Sequence, residues 1–243
     1  MNQFERMFRG MPPVTKNLVI INFIIWIAMA IFPQIDHNVM RYCALHFYQA
    51  TDFNVVQLFT YMFVHGGLMH ILFNMLTLFM FGITLEYVMG SRRFLIFYIV
   101  CGVGAALIQE AVWAVTLPDM VVDGLARLNS MTPDEIRALM ARDPSIMADN
   151  LNFFSTVGAS GAIYGVLLAF AMLFPNRPLY FMFLPVPVKA KWMVLIWGGM
   201  EILLGISAAS DGVAHFAHLG GMIFGFMLIA YWKKKGTIHG DIY

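Results

Sequence analysis

Charge is what this chain has least of. Asp, Glu, Lys and Arg together make up 12% of it, while 60% is hydrophobic. That balance excludes an ordinary soluble domain and points to a polytopic membrane protein. The charge that is present nearly cancels, leaving +1. A chain without a basic face has nothing to neutralise phosphates, which argues against a nucleic-acid partner. Cysteine is scarce too. Cys43 falls in a loop and Cys101 in an apolar segment, so no disulfide framework is expected. No Asp, Glu or Cys accompanies the histidines at ligand spacing, so a metal site is not expected. No convincing internal repeat is visible, which disfavours a transporter. No small-residue cleavage site follows Ile31-Phe32-Pro33. The first apolar run therefore reads as a retained span rather than a signal peptide.

What the chain has is apolar runs, each near the length a membrane-spanning helix needs. They predict spans over Asn17–Phe32, Leu68–Met89, Phe94 to about Leu117, about Val157 to Phe174, Trp192–Ala208, and about Val213 to Trp232. The reading is an all-α, six-helix membrane domain over 17–232, with an outer-side insert at 118–152. Short tails at 1–16 and 233–243 flank it. Lysine and arginine set its orientation. With the N-terminus inside, the inner segments hold eleven basic residues, among them Arg6, Arg9, Lys16 and Lys233 to Lys235. The outer segments hold four: Arg41, Arg127, Arg137 and Arg142. Both termini are then cytoplasmic, and spans two, four and six all run inward.

Against this apolar background a few polar residues stand out, because such groups are costly inside a bilayer and mark function by default. Ser160 lies in Gly158-Ala159-Ser160-Gly161, His218 in Ala217-His218-Leu219-Gly220-Gly221, and His70 and Asn74 lie four apart. All sit near the outer start of an inward-running span, at one shallow depth. A serine hydroxyl needs a base to become a nucleophile, and histidine is the usual one. The two meet only if spans four and six touch. Gly161-xxx-Gly165 and Gly221-xxx-Gly225 are small-residue faces that allow this. His70 and Asn74 share a helix face and both can donate hydrogen bonds to an oxyanion, as can the Ser160 amide. Tyr164 is one turn after Ser160, where its ring can pack on the base. No carboxylate is evident to orient His218, with Asp211 seven residues away in a loop. The pattern therefore reads as a Ser-His dyad rather than a triad. Each residue also has a plainer reading: Ser160 as a small contact residue, His218, His70 and Asn74 as interhelical polar contacts, Tyr164 as an interfacial aromatic.

Taken together, His65-Gly66-Gly67-Leu68-Met69-His70-Ile71-Leu72-Phe73-Asn74, Gly158-Ala159-Ser160-Gly161 with Tyr164, and Ala217-His218-Leu219-Gly220-Gly221 resemble the rhomboid family of intramembrane serine proteases. The resemblance implies Ser160 as nucleophile and His218 as general base. It implies His70, Asn74 and the Ser160 amide as an oxyanion hole, Tyr164 stacked on His218, and Gly158 and Gly161 in support. It also implies single-span membrane proteins as substrates, cut near the outer face of the lipid bilayer, with no metal or cofactor. A bacterial cytoplasmic membrane is the expected location. The alternative is a non-catalytic relative that binds membrane clients; a metal-dependent membrane hydrolase is more remote. Where many members carry a Trp-Arg pair in the first loop, this chain has Arg41-Tyr42.

The remaining polar residues carry smaller expectations. His65 is expected to bond loop backbone, and His215 has no assigned role. Glu201 and Glu110 are expected to be hydrogen-bonded structural carboxylates, and Glu86 a solvated one at the inner helix end. Within the insert, Thr132-Pro133-Asp134-Glu135 predicts a capping box, followed by an amphipathic helix that Asp143-Pro144 ends. That helix lies on the membrane surface, covers the protein's own rim, or recruits substrate.

Overall fold

The computed structural model describes residues 10–181, 184–207 and 213–238. Arg6, Arg9, Asp211 and the last residues of the C-terminal tail lie outside them. The described chain is helical, and the helices follow the apolar runs. They are α1 Pro13–Ile31, α2 Pro33–Cys43, α3 Leu68–Met89, α4 Ser91–Asn129, α5 Pro133–Arg142, α6 Ser145–Leu151, α7 Ser160–Leu173, α8 Ala190–Ile206 and α9 His215–Lys234. Four of these, α1, α3, α4 and α9, are long and apolar enough to cross a membrane. The other two helices at predicted spans are shorter: α7 has 14 residues and α8 has 17. Two small antiparallel pairings join loops, Leu45–His46 with Ser155–Thr156 and Pro178–Phe181 with Leu184–Lys189. The protein is an integral membrane bundle whose outward residues, such as Ile24, Phe73, Val115 and Leu203, are apolar and exposed, as lipid-facing side chains are.

Three elements depart from the sequence expectation, each for a physical reason. The helix of the third span does not stop near Leu117 but continues through Pro118 to Asn129. Proline removes one helical hydrogen bond. Beyond it Val121, Val122 and Ala126 are buried in one cluster with Ile136 and Met140 of α5, and that burial offsets the loss. The fourth helix starts at Ser160 rather than Val157. Gly158 takes φ +121°, which no helix accommodates, and Ser155–Thr156 are held in the pairing with Leu45–His46. Glu86 is not solvated but 1% exposed. Its carboxylate accepts the Val14 and Thr15 amides at 2.9 and 2.7 Å, and the Thr15 and Ser91 hydroxyls at 2.8 and 2.6 Å. The amides at a helix start have no partner within the helix. Glu86, from the far end of α3, supplies one for α1.

The insert folds as its capping box predicts. Thr132 Oγ1 accepts the Glu135 amide, and the Glu135 carboxylate accepts the Thr132 N–H at 2.8 Å, which holds that carboxyl below the usual range. The apolar side of α5 covers the protein's own α4. The segment beyond α5 is tied to the first loop by Thr51 Oγ1 to Asp149 at 2.7 Å and by the Asp52 amide to Asn152 at 2.9 Å.

The helices that carry Ser160 and His218 meet glycine to glycine. A Cβ on Gly221 would fall inside the Gly161 carbonyl, and one on Gly225 would lie 3.1 Å from the Gly165 Cα. Gly165 is bounded on its other side by Cys101 of α4, and a Cβ there would also be 2.9 Å from the Gly221 oxygen. This is the small-residue packing expected of membrane helices. Replacing Gly221 by Ala must push α7 from α9. The expected cost is about 1–3 kcal/mol of overpacking, measured by reversible unfolding in mixed micelles. Unaltered stability would mean that the two backbones are not in contact.

Candidate active site

Ser160 is the first residue of α7, and its hydroxyl lies 2.8 Å from His218 Nε2. They are 58 residues apart in sequence. The glycine contact between α7 and α9 brings them together, because His218 lies only three residues before Gly221 and Ser160 directly precedes Gly161. Position at the helix start matters twice. The first amides of α7 are free of helical partners, and the positive end of the helix dipole faces the hydroxyl.

Tyr164, one turn along α7, stacks on His218 with ring centroids 4.2 Å apart and planes within 7°. The ring restricts the imidazole to the plane that meets Ser160. Both rings are poorly exposed, and His218 is 8% exposed.

Donors surround the space in front of Ser160. Asn74 is buried on α3, and its Nδ2 has no hydrogen-bond partner. An unpaired buried amide is expensive unless something fills its place during function. His70, one turn earlier, lies against Gly158. A Cβ on Gly158 would be 2.6 Å from His70 Nε2 and 3.7 Å from Asn74 Nδ2. Gly158 is therefore required for its positive φ and for the room it leaves these two side chains. The turn is pinned by the Gly158 amide to the Tyr61 carbonyl at 2.9 Å, while the Tyr61 hydroxyl reaches the Gly102 carbonyl at 2.7 Å. His65 accepts the Ala159 amide at 3.4 Å and meets His70 edge-on at 5.0 Å between centroids. It thus bonds the backbone just before α7.

His70, Ser160, His218, Tyr61 and the Ser155–Gly158 segment line a cavity of about 420 Å³. Its lining brings together a hydroxyl, an imidazole and hydrogen-bond donors, the kinds of group an acyl-transfer site uses.

The sequence reading missed one residue. Glu201 of α8 is 6% exposed, and its Oε2 lies 3.1 Å from His218 Nδ1. His215 Nδ1 donates to the same oxygen at 2.6 Å, and the Tyr164 hydroxyl donates to Oε1. A carboxylate does stand beside the base, contrary to the dyad expectation. The cue was available. Glu201 is five residues from the C-terminal end of α8, about one and a half turns, as Ser160 opens α7 and His218 lies three residues into α9. Ligand-type atoms of Glu201, His215 and His218 also lie within 4.8 Å of one another, the one such cluster among the described residues. Elsewhere, Glu110 accepts the Tyr48 amide at 2.9 Å, the structural role expected of it. Arg41 of the first loop pairs with Asp52 at 2.9 Å and lies over the Tyr42 ring.

A Rhomboid domain model matches residues 52–235. RHOMBOID-like protein 4 of Arabidopsis thaliana is 28% identical over 166 residues, 68% of this chain and 31% of that protein. Rhomboid protease AarA of Providencia stuartii is 29% identical over 179 residues, 70% of this chain and 53% of that protein. Rhomboid protease GlpG of Salmonella choleraesuis is 33% identical over 98 residues, 40% of this chain and 35% of that protein. The chain thus spans about a third to a half of the length of these curated relatives.

Gly158→Ala is the sharpest probe of the geometry in front of Ser160. It forces a left-handed φ on alanine, at about 1–3 kcal/mol, and drives a methyl into His70. Labelling of Ser160 by a fluorophosphonate is expected to slow at least about tenfold, one lost donor being worth more than that. Labelling at the wild-type rate would show that His70 and Asn74 do not serve this site.

Proposed function

The chain belongs to the rhomboid family, and from that premise we propose that it is a serine protease acting within the membrane. The observation that carries the reading is the 2.8 Å contact of Ser160 Oγ with His218 Nε2 at the wall of a cavity lined with hydrogen-bond donors. His218 Nε2 takes the hydroxyl proton as Oγ attacks the substrate carbonyl. The negative charge that forms on the carbonyl oxygen is met by the Ser160 amide, Asn74 Nδ2 and His70. Donors fixed in advance in a dry setting stabilise such charge far more than water would. The protonated His218 then gives its proton to the leaving amine, and an acyl-Ser160 remains. Water reaches it through the cavity, loses a proton to His218, and releases the acid product.

The proposed substrates are single-span membrane proteins, cut in or near their transmembrane helix. With both termini cytoplasmic, the shallow layer that holds Ser160 lies toward the outer face of a bacterial cytoplasmic membrane. Two features support that depth: Ser160 opens α7, and His218 lies three residues into α9.

Cleavage of a labelled single-span substrate in proteoliposomes tests the reading. Wild type is expected to release a product whose new terminus maps near the outer boundary, with or without a chelator. Ser160→Ala should yield none, and His218→Ala only a slow residual cleavage. Asn74→Ala should lower kcat by about 10²–10³-fold, the usual loss for one oxyanion donor. Cleavage by Ser160→Ala at the wild-type rate would sink the serine mechanism. A folded wild type silent on several helix-destabilised substrates would favour the client-binding alternative.

A further inference from the structure

Within this protease reading, we propose that Glu201 is the positioning residue for His218, completing a Ser160–His218–Glu201 relay drawn from three helices. A histidine that accepts a proton through Nε2 must carry its other proton on Nδ1. In His218 that nitrogen is buried and has no directed hydrogen bond. Glu201 Oε2 stands 3.1 Å away, at hydrogen-bonding distance but approached obliquely. An anion there fixes the tautomer that leaves Nε2 free to accept, and it stabilises the imidazolium that forms as Ser160 is acylated.

The carboxylate is itself held on both oxygens. Tyr164 donates to Oε1, and His215 donates to Oε2 at 2.6 Å. Tyr164 therefore acts twice: its ring sets the plane of His218 and its hydroxyl sets the plane of the carboxylate. A carboxylate needed only to satisfy His215 and Tyr164 would have no reason to present Oε2 to the base as well. Burying an acidic group in a membrane helix is costly, and α8 exposes apolar side chains at Leu195, Met200, Leu203 and Leu204 around it. The buried contacts of Glu201 with the base and its support return what that burial costs.

The test compares Glu201→Gln, His218→Ala and the double variant with wild type in proteoliposomes, reading kcat and KM separately. Glutamine keeps the shape and can still accept from Tyr164, but it carries no charge for an imidazolium. We expect kcat to fall about 10²-fold, within the range for assisted proton transfer, with KM within about twofold of wild type. In the His218→Ala background the same change should cost almost nothing, because a residue acting through another has no effect once that other is gone. Unchanged kcat in Glu201→Gln overturns the proposal. So does an equal loss in both backgrounds, which would mark a merely structural role, and so does loss of wild-type turnover with a chelator, which would make the cluster a metal centre. If Glu201→Gln does not accumulate folded, Tyr164→Phe carries the test. It keeps the ring on His218 and releases Oε1, so kcat should fall about three- to tenfold at constant KM, and no change would overturn the proposal. Failure of the protease reading is separate: it would appear as full activity in Ser160→Ala.

Discussion

The site depends on how closely two backbones approach. Ser160 and His218 lie within hydrogen-bonding distance because the glycines beside them allow α7 and α9 to touch main chain to main chain. In a bilayer there is no water between helices to be expelled, so association rests on packing and on polar contacts. A methyl group at Gly221 would occupy the Gly161 carbonyl. The same spacing that makes the packing possible sets the separation of hydroxyl and imidazole. Alignment of the base and cohesion of the bundle are one property, read at two points along the same pair of helices.

Around that contact the protein solves a problem of solvent. The reaction proposed for Ser160 consumes water in a layer where water is scarce. Polar side chains there must be paired, or must pair during turnover. Most are paired: Tyr61 with Gly102, Glu201 with Tyr164 and His215, His65 with the backbone before α7. The exceptions near Ser160 are Asn74 Nδ2, His65 Nδ1 and His218 Nδ1, the first of them the donor proposed for the oxyanion. The loops that enclose this layer are tied by main-chain pairing, Leu45–His46 to Ser155–Thr156. A segment with its own hydrogen bonds satisfied can stand at membrane depth without a helix.

Much of this was legible beforehand, because apolar length and the depth of polar residues are properties of a linear string. The spans around Leu68–Met89 and His215–Lys234, the capping box of Thr132 and Glu135, and the meeting of Ser160 with His218 and Tyr164 follow from spacing. What the string did not disclose were partners remote in sequence. Glu86 looked solvated because it ends a helix, yet it binds amides at the start of α1, 71 and 72 residues away. Glu201 reads in the string only as a hydrogen-bonded carboxylate, because its partners come from two other helices. Pro118 looked like a stop because local rules say so, and only the packing of α5 over Val121 and Val122 overrides them. The roles of Ser160, His218, His70 and Asn74 in turnover are matters for the assays above rather than for geometry.

The continuation of α4 through Pro118 makes one helix serve two solvents. Thirty-nine residues at about 1.5 Å each extend about 58 Å, against a hydrocarbon layer of about 30 Å. Before Pro118 its exposed side chains include Leu95, Ile96, Leu107 and Val115; after it Asp119, Asp123 and Arg127 join Met120 and Leu128. The buried part carries Gly104 and Ala105, against which Phe224 and Gly220 of α9 are packed. One end of this helix packs under α5, while its buried part seats the helix that carries His218.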